Sequence, residues 1–320
     1  MARILTTGGA GFIGFHLLKK LLAKRSGKVI VVDNLSNANH LFNNYVAANE
    51  SETTFSFYNE DIRNREAIFN IIKTEKIDTC IHLAAIVSVL DSIKNPEYTV
   101  DVNINGTFNV LESCSKAQVK NFVFLSSCAV YGRGTKLPLS EDQPLEPLSP
   151  YGASKAAGES IVSAYIRSKK IHNGISLRLF NVYGEDQNPL YAGAITRFID
   201  RLSKGSAPII YGDGKQTRDF IHVDDVVNAI LLAAEFHNSS FELPSYAFNI
   251  GTGVPLSITD LANKIISMFG LKLRPVYSEA KSGEVHGCYA DITKSSKYLG
   301  FVAKEEFESG LLPLVKNGKS

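Results

Sequence analysis

Thr7-Gly8-Gly9-Ala10-Gly11-Phe12-Ile13-Gly14 is the stretch that says most about the architecture of this chain. It follows a short apolar run and opens a helical stretch, and its glycines have G-x-x-G-x-x-G spacing. Glycine at these positions permits a tight turn, lets the backbone approach a pyrophosphate and allows close packing of a helix on a strand. The helix N-terminus also attracts the anion. The stretch therefore predicts a dinucleotide site, although glycines that only shape a turn would give the same spacing.

Asp33 ends the second apolar run, Val29-Ile-Val-Val-Asp33, about 20 residues after the glycines. A carboxylate at this position binds the ribose 2′-hydroxyl and repels a 2′-phosphate, so NAD is favoured over NADP. The nearest cations, Arg25 and Lys28, do not stand where a clamp for a 2′-phosphate is expected. An aspartate that only caps a helix is the alternative. Together with the glycine turn, Asp33 predicts an NAD site.

Short apolar runs alternate with helical stretches through the first half of the chain, which is the pattern of repeated βαβ units. We therefore predict an α/β fold, a doubly wound parallel sheet of the Rossmann type, with a smaller C-terminal α/β domain for the substrate. The expected strands are residues 3–7, 28–32, 79–83, 121–126, 175–180 and 246–250, and the expected helices are 11–22, 106–116, 152–168 and 220–234. A polar, turn-rich stretch after Phe180 indicates a second domain. The predicted boundaries are 1–177 and 219–250 for the NAD-binding domain, and 178–218 and 251–320 for the substrate domain.

The charge of the chain argues against nucleic acid and membranes as partners. Its 320 residues include 34 basic and 32 acidic side chains, a formal net charge of +2, without a basic arm or stripe. The N-terminus runs into an apolar strand, with no long apolar segment and no small-residue cleavage site. Cys80, Cys114, Cys128 and Cys288 lie far apart without a C-x-x-C pair, so neither a zinc site nor a disulfide framework is indicated. We expect a cytoplasmic protein that works on small molecules.

Tyr151 and Lys155, in Ser-Pro-Tyr-Gly-Ala-Ser-Lys, stand four residues apart and share one face if the segment is helical. A nearby ammonium favours the phenolate and is expected to lower the tyrosine pKa from about 10 towards the working pH. Tyr151 is therefore a candidate general base. A boundary aromatic beside a solvated lysine is the alternative for this pattern alone.

With the glycine turn upstream and Tyr-x-x-x-Lys downstream, the chain resembles the extended short-chain dehydrogenases/reductases, and more narrowly the NAD-dependent nucleotide-sugar epimerase/dehydratase family. The resemblance covers nearly the full length. It implies bound NAD and a set of contacts to it. The implied cofactor-binding residues are Gly8, Gly11, Phe12, Ile13, Gly14, Asp33, Asn34, Leu35, Asp61, Ile62, Leu83, Ala84, Ala85, Asn103, Ser126, Tyr151 and Lys155. Within this set, Asp61 and Ile62 would contact adenine, and Asn103 would steady the neighbouring helix and the catalytic region.

The segment Leu125-Ser-Ser-Cys-Ala-Val-Tyr-Gly132 matches the part of the family that carries a catalytic Ser or Thr, which the resemblance assigns to Ser127. Its hydroxyl would bond the sugar 4-oxygen and pass a proton to or from Tyr151, completing a Ser-Tyr-Lys set. Related 4,6-dehydratases have an Asp and a Glu where this chain has Cys128 and Ala129. Because Ala129 cannot act as a base, the resemblance favours 4-epimerisation of a UDP-hexose through a 4-keto intermediate.

The substrate end is also inferred from the resemblance. Asn181 would contact the diphosphate, and Arg218 would clamp phosphate through its two-pronged guanidinium. Lys281-Ser-Gly-Glu284 stands where relatives commonly carry Arg-x-Gly-Asp. Lysine keeps the positive charge at this second phosphate contact but cannot donate two parallel hydrogen bonds as arginine does. The implied substrate-binding residues are Ser88, Ser127, Cys128, Tyr151, Asn181, Ala194, Ile195, Ile210, Tyr211, Arg218, Lys281, Glu284 and Cys288. A small residue at Cys288 would admit a 2-acetamido group, so UDP-N-acetylglucosamine is expected beside UDP-glucose.

Three alternatives stay open at this point. One is a dehydratase or 4-ketoreductase of the same family, with Cys128 in acid or base work, and another is a UDP-glucuronate 4-epimerase. A dinucleotide-binding sensor without activity is the third, and the joint presence of Ser127, Tyr151 and Lys155 speaks against it. By analogy with the family we also expect a homodimer, formed through the helices at 106–116 and 152–168.

Overall fold

The computed structural model describes residues 2–25, 27–49, 54–134, 136–188, 193–236, 245–280 and 285–319. Its strands are β1 (Ala2–Thr7), β2 (Gly27–Asp33), β3 (Phe55–Asn59), β4 (Thr79–His82), β5 (Asn121–Ser127), β6 (Asn173–Leu179), β7 (Asn181–Tyr183), β8 (Ile209–Tyr211), β9 (Thr217–Arg218), β10 (Phe220–His222), β11 (Ala247–Ile250), β12 (Leu256–Ser257), β13 (Val276–Ser278) and β14 (Gly287–Cys288). Its α-helices are α1 (Phe12–Lys24), α2 (Phe42–Asn49), α3 (Arg65–Glu75), α4 (Val89–Lys94), α5 (Pro96–Val100), α6 (Thr107–Lys116), α7 (Pro150–Arg167), α8 (Ala194–Ser203), α9 (Val223–Glu235), α10 (Ile258–Phe269), α11 (Thr293–Leu299) and α12 (Phe307–Lys319). A π-helical turn occupies Asp101–Gly106, and a 3-10 helix occupies Cys128–Tyr131.

The main sheet of the described residues has seven strands in the order β11-β6-β5-β4-β1-β2-β3. All neighbouring strands are parallel. From β1 the chain adds β2 and β3 on one side and then β4, β5 and β6 on the other, so the strand order changes direction between β1 and β4. The central strands are continuous apolar runs because helices cover both faces, as at Val29–Val32, which is fully buried. The predicted doubly wound α/β fold is confirmed.

Two apolar layers flank the sheet. The layer on one face includes Phe15 and Leu18 of α1 with Val226 and Ile230 of α9. The layer on the other face is built from α3, α6 and α7, whose buried residues include Ile68, Leu111 and Val162. Both layers are needed because a parallel sheet is apolar on both sides.

Two predicted helices begin differently in the structure. The predicted helix at 220–234 was wrong in its first three residues, because Phe220–His222 is strand β10 and α9 begins at Val223. A short apolar run fits the periodicity of a helix or of a strand, and here the run pairs with β7 as a strand. The predicted helix at 106–116 is preceded by α5 and by the π-helical turn Asp101–Gly106, which contains Asn103.

A third apolar cluster forms the core of the smaller lobe. It combines residues of α8, α10 and α12, among them Phe198, Ile265 and Leu311. These helices come from two separated stretches of chain, as the predicted boundaries require, and those boundaries remain a prediction. Leu299 and Phe301 belong instead to the first layer of the main sheet, so the second stretch also packs back onto the larger lobe. Each helix in the described part of the chain is too short or too polar to cross a membrane.

Candidate active site

A cleft of about 1080 Å³ opens at the carboxyl ends of the parallel strands. Ligands of open α/β sheets bind at this edge, where the strand order changes direction. The cleft is larger than the roughly 300–1,000 Å³ of an ordinary ligand pocket, which fits a dinucleotide together with a second ligand. The predicted residues that line it are Gly8, Gly11, Phe12, Ile13, Gly14, Asp33, Asn34, Asp61, Ile62, Leu83, Ala84, Ala85, Ser126, Ser127, Tyr151, Lys155, Asn181, Ala194, Ile195, Tyr211 and Arg218.

The three glycines of the G-x-x-G-x-x-G motif, Gly8, Gly11 and Gly14, meet different constraints. Gly8 has a φ of 72°, and a Cβ on it would lie 2.5 Å from the Ala84 nitrogen. A Cβ on Gly14 would lie 2.3 Å from the carbonyl oxygen of Gly8. A Cβ on Gly11, by contrast, would meet the protein only at that same oxygen, 3.4 Å away. The packing of the chain therefore requires Gly8 and Gly14, whereas the missing side chain of Gly11 leaves space in the cleft for a ligand.

The start of α1 and the end of β2 meet beside this turn. The N-terminus of α1 has no side-chain cap, so its N–H groups are available to an anion. The Asp33 carboxylate accepts hydrogen bonds from Ala10 N (3.0 Å) and Leu35 N (2.8 Å). Burial raises the pKa of the Asp33 carboxyl above its usual value. Each oxygen of Asp33 keeps a second lone pair for a ribose hydroxyl. The donor set and the space at Gly11 fit NAD.

At the far end of this half of the cleft, Asp61 is held by its neighbours. Its carboxylate accepts hydrogen bonds from Arg63 Nη2 (2.9 Å) and Asn34 Nδ2 (2.9 Å). The bonds from Arg63 lower the pKa of Asp61 to about 2. The predicted adenine contact therefore rests on a carboxylate that is ionised and fixed in place.

Tyr151 stands in the first turn of α7, which Ser149 caps by accepting a hydrogen bond from Gly152 N (3.1 Å). The Tyr151 hydroxyl lies next to the Ser127 hydroxyl at the end of β5. Burial raises the pKa of Tyr151 to about 12, and the neighbouring Ser127 offsets part of that rise. The expectation that Lys155 would bring this pKa below 10 is wrong for this structure, because burial raises the pKa of the phenol and Lys155 is not among the groups that shift it.

Lys155 lies one helical turn further along α7 and is buried. Its Nζ donates a hydrogen bond to the carbonyl oxygen of Leu125 (2.8 Å) and lies 5.0 Å from the ring centroid of Phe124. Burial lowers the pKa of Lys155 to about 7, against the opposing charge of Glu159. The lysine is thus poised to gain or lose its charge near neutral pH.

Asn103 steadies the wall of the cleft from behind, since it is buried and is not among the described residues that line the cleft. Its side chain accepts a hydrogen bond from Ile86 N (2.7 Å) and donates to Ile86 O (3.0 Å) and to Ser154 Oγ (2.9 Å). These bonds join the stretch after β4 to the helix of Tyr151. The π-helical turn thus places Asn103 as a support for both segments.

Arg218 and Asn181 line the other half of the cleft. Arg218 donates from Nη1 to Thr217 O and Val285 O, at 2.8 Å each. Asn181 donates from its backbone nitrogen and from Nδ2 to the carbonyl oxygen of Asp219, at 3.0 Å each. A guanidinium and an amide here provide the donors that a diphosphate needs.

The carboxylate of Asp219, next in sequence to Arg218, ties this half of the cleft together. It is fully buried and accepts hydrogen bonds from Thr252 N (2.8 Å), Gly253 N (2.9 Å) and Ala290 N (3.1 Å). A buried carboxylate is costly unless it is satisfied in this way. Asp219 therefore joins β9 to two later segments of the smaller lobe.

Several predicted contacts fall elsewhere. The prediction for Ile210 is wrong: it is buried in the core of the smaller lobe, while its neighbours Ile209 and Tyr211 line the cleft. Successive side chains of a strand point to opposite sides, and an Ile-Ile-Tyr run does not reveal which residue faces inward. Leu35 packs against the first apolar layer. Ser88 caps α4 by accepting a hydrogen bond from Asp91 N (3.1 Å). Lys281 and Glu284 lie outside the described residues.

Cys128 and Cys288 meet beside the catalytic candidates, although 160 positions separate them in sequence. Both pack against the small cluster around Tyr131. Each thiol shifts the pKa of the other, upward for Cys128 and downward for Cys288. The Cys128 thiol also acts on the pKa of Tyr151. The two predicted substrate contacts therefore share one location next to the phenol, behind the residues that line the cleft.

Sequence reasoning missed two arginines of α8 that line the cleft, Arg197 and Arg201. They stand four residues apart on one face of an amphipathic helix that begins at the predicted contacts Ala194 and Ile195. That spacing was the available signal. Their guanidinium groups add positive charge to the half of the cleft that contains Arg218.

A Rossmann sheet with a dinucleotide turn, and with a serine, tyrosine and lysine that line the cleft at the carboxyl ends of its strands, defines an extended short-chain dehydrogenase/reductase. Comparison with known proteins narrows this class. Residues 4–251 match the model of the NAD-dependent epimerase/dehydratase family. The chain belongs to that family, and NAD is its cofactor.

Individual relatives match over nearly the whole chain. A putative UDP-glucose 4-epimerase of Methanocaldococcus jannaschii is 40% identical over 98% of this chain and 97% of its own length. The crystal structure of the UDP-glucose 4-epimerase of Thermotoga maritima with UDP-glucose has a TM-score of 0.88, with 35% identity and coverage of 98% and 97%. A UDP-N-acetylglucosamine 4-epimerase of Methanobrevibacter ruminantium M1 in complex with UDP-N-acetylmuramic acid also has a TM-score of 0.88, with 31% identity and the same coverage. At the family level the chain is a nucleotide-sugar epimerase, and thus an isomerase.

Proposed function

We propose that the protein is a UDP-hexose 4-epimerase that interconverts UDP-glucose and UDP-galactose and also accepts the 2-acetamido sugars. The observation that carries the proposal is that the Tyr151 and Ser127 hydroxyls lie next to each other and that both residues line the cleft. Hydroxyls in contact can relay a proton to and from a sugar hydroxyl bound beside them. The names of the matched 4-epimerases support the same reaction.

Tyr151 takes the proton of the sugar 4-hydroxyl, directly or through Ser127. What NAD supplies when bound is a nicotinamide ring that accepts a hydride from C4 and gives it back, with a positive charge in its oxidised form. A pKa of about 12 means that removing the phenol proton at pH 7 costs about 7 kcal/mol, at about 1.4 kcal/mol per unit. Lys155 lies one helical turn away, and its ammonium form would favour the phenolate. The resulting 4-keto sugar turns about its diphosphate linkage and is reduced on its other face.

Retention of the sugar during this turn depends on the nucleotide end. Arg218, Asn181, Arg197 and Arg201 line that part of the cleft and offer donors to a diphosphate. Binding energy from the part of the substrate that does not react leaves the hexose free to rotate. This division suits an epimerase, because the same site must act on both faces of the ring.

The residues beside Ser127 separate epimerisation from elimination of water. An elimination needs a base for the C5 proton and an acid for the leaving hydroxyl. Ala129 provides neither, and Cys288 and burial raise the pKa of the Cys128 thiol, which makes it a poor base. Reversible oxidation at C4 is therefore the reaction that these side chains support.

The test uses purified protein without added NAD, in deuterated water, with UDP-glucose, UDP-N-acetylglucosamine and UDP-glucuronate as a panel. A 4-epimerase gives the C4 epimer and leaves every carbon-bound hydrogen unexchanged, because the abstracted hydride returns to C4. Deuterium at C5 or a neighbouring carbon would identify a dehydratase and overturn the proposal. Turnover of UDP-glucuronate alone would move the assignment to a uronate epimerase.

A homodimer is proposed as the assembly. Exposed apolar side chains cluster on α4 and α6, at Val89, Leu90, Ile93 and Phe108. Both helices pack against α7, so these side chains belong to one region of the surface. Exposed apolar side chains on helices of one region are typical of a subunit interface.

A further inference from the structure

One face of α7 holds the end of β5 through three residues spaced four apart. Each of them meets one of three successive residues of the strand. The Tyr151 hydroxyl lies next to Ser127, Lys155 Nζ donates to Leu125 O (2.8 Å), and Ser126 Oγ donates to Glu159 Oε1 (2.5 Å). Residues at i and i+4 share a helix face, so this match of helix and strand follows from the spacing. The third contact involves a residue that does not line the cleft, Glu159.

The charge of Glu159 is balanced from the neighbouring strand. Arg178 of β6 donates from Nη2 to Glu159 Oε2 (2.8 Å) and from Nε to both carboxylate oxygens (3.0 and 3.2 Å). Both side chains are buried, with 7% and 4% of their surface exposed. In the sheet register Arg178 lies directly opposite Ser126. A buried ion pair contributes little net stability compared with apolar residues, so its presence beside the catalytic strand calls for another role.

The same arginine reaches the other side of Ser127. Arg178 Nη1 donates to the hydroxyl of Tyr131 (2.8 Å), which in turn donates to Asn249 Oδ1 of β11 (2.6 Å). Tyr131 is buried at the end of the 3-10 helix that follows Ser127. The ion pair therefore anchors the chain one residue before Ser127 and four residues after it.

We propose that Glu159 and Arg178 are positioning residues for the reaction, which hold the Ser127 hydroxyl against Tyr151 by anchoring Ser126 and Tyr131. This inference rests on the proposed function, since it takes proton transfer through Ser127 and Tyr151 as given. Neither charged side chain is among the described residues that line the cleft. Misplacement of a reacting group by about 1 Å can cost roughly a hundredfold in rate, so anchors of this kind act on kcat.

Glu159 has a second effect, on the charge of Lys155. The ionisable groups around this lysine are Glu159 and Tyr151 on its own helix and His82 on β4, with Arg178 of β6 beyond the carboxylate. Burial and the charge of Lys155 hold the pKa of His82 at about 3, so the imidazole is neutral. Glu159 is the group that raises the pKa of Lys155. Without this carboxylate the lysine loses its proton at a lower pH, and the alkaline side of the pH–rate profile moves with it.

The experiment measures kcat, KM and the pH–rate profile with UDP-glucose on the NAD-loaded protein. Ser126→Ala and Tyr131→Phe each remove one anchor and leave the ion pair, and Glu159→Gln removes the charge. Ser160→Ala, on the exposed side of α7, and Glu112→Gln, a carboxylate bonded to Tyr165 away from the cleft, are matched controls. We expect kcat to fall about ten- to a hundredfold in the three variants, with KM within about twofold. In Glu159→Gln the alkaline limb should shift by about one unit to lower pH.

Unchanged kcat in folded Ser126→Ala and Tyr131→Phe, while Tyr151→Phe is inactive, would overturn the positioning role and leave the proposed function intact. If Glu159→Gln does not fold, these two variants still decide the matter because they retain the ion pair. Equal losses in the Ser160→Ala and Glu112→Gln controls would also overturn it, since they would reveal a general structural effect. Failure of the proposed function looks different: the unchanged protein would convert none of the sugar nucleotides, and the inference would fall with it.

Discussion

The Nδ1 atom of His82 accepts a hydrogen bond from the hydroxyl of Thr7, 2.6 Å away. The two residues face each other in the register of β1 and β4, directly before the glycine turn and the wall of the cleft. The tautomer follows from the network: Thr107 donates its hydroxyl proton to Asn103 O (2.6 Å), so its oxygen accepts from Nε2–H of His82 (2.9 Å). The buried imidazole is therefore neutral and fully bonded.

This histidine makes stability depend on pH. Its pKa is about 3 in the folded protein, against an ordinary 6.5, because burial disfavours the charged ring. The unfolded chain binds a proton on this ring near pH 6.5, whereas the folded protein binds it only near pH 3. The contribution of His82 to the free energy of unfolding is therefore complete above pH 6.5. It is lost below pH 6.5, at about 1.4 kcal/mol per pH unit, until the folded ring also titrates.

Urea unfolding of the wild type and His82→Gln between pH 7.5 and 4.5 measures this slope. The free energy of unfolding of the wild type should fall more steeply below pH 6.5 than that of the variant. His172→Gln, at an exposed histidine, should keep the wild-type slope. Parallel curves for the wild type and His82→Gln would show that the ring is not the titrating group.

Gly14→Ala should lower the stability of the fold, whereas Gly11→Ala should weaken the binding of NAD. The new Cβ at Gly14 would lie 2.3 Å from a carbonyl oxygen, so we expect a loss of about 1–3 kcal/mol in unfolding free energy. At Gly11 the Cβ meets mainly the cleft, so the loss of stability should stay below about 1 kcal/mol. NAD should nevertheless bind at least about tenfold more weakly to Gly11→Ala. Urea unfolding and calorimetric NAD titration separate the two, and tight NAD binding by Gly11→Ala would refute the assignment of that space.

Tyr151→Phe should lower kcat by about 10²–10⁴ because it removes the proton acceptor while keeping the ring. The variant should retain its NAD content, read from the absorbance of the denatured protein. Tyr165→Phe is the control, since Tyr165 lies on the same helix and bonds Glu112. Turnover near the wild-type rate in Tyr151→Phe would remove this phenol from the mechanism.

Cys288→Tyr should change the choice of sugar. Cys288 lies beside Cys128, behind the residues that line the cleft, and a ring there would push into the sugar end of the cleft where a 2-acetamido group would need space. The ratio of kcat/KM for UDP-N-acetylglucosamine to that for UDP-glucose should drop about 10- to 100-fold. Cys288→Ser keeps the size and should keep the ratio. An unchanged ratio in Cys288→Tyr would end the gatekeeper role of this residue.

The double variant Leu90→Glu/Ile93→Glu should be monomeric. These side chains are 59% and 57% exposed, and two carboxylates would have to be buried in a subunit interface. Light scattering on a sizing column gives the mass directly. Val302→Glu, at an equally exposed position outside α4, should remain a dimer. A monomeric wild type, or a double variant that stays dimeric, would contradict the proposed interface.

The sequence predicted those parts of the site whose residues lie close together along the chain. The glycines, Asp33, and the Tyr151–Lys155 pair each lie within one turn or one βα unit, so their geometry follows from chain periodicity. Their placement along one edge follows from the parallel sheet, because the carboxyl ends of parallel strands meet there.

The parts that sequence missed depend on contacts between distant segments. The raised pKa of Tyr151 comes from burial, which only the closed cleft creates. The prediction that Ile210 contacts the substrate was wrong because the run Ile209–Tyr211 does not reveal which side chains face the cleft. The pair Glu159–Arg178 joins α7 to β6, and the pair Cys128–Cys288 joins the 3-10 helix to β14. No local sequence pattern marks either pair.

The carboxylate of Asp219 also bears on the order in which a growing chain matures. Strands β1 to β6 are synthesised first, and β11 follows them. Ala290, which donates a hydrogen bond to Asp219, leaves the ribosome later still. Domains generally fold as units in the order of their synthesis. Because Asp219 meets its last partner only at Ala290, the half of the cleft that contains Arg218 can be completed only when translation is nearly finished.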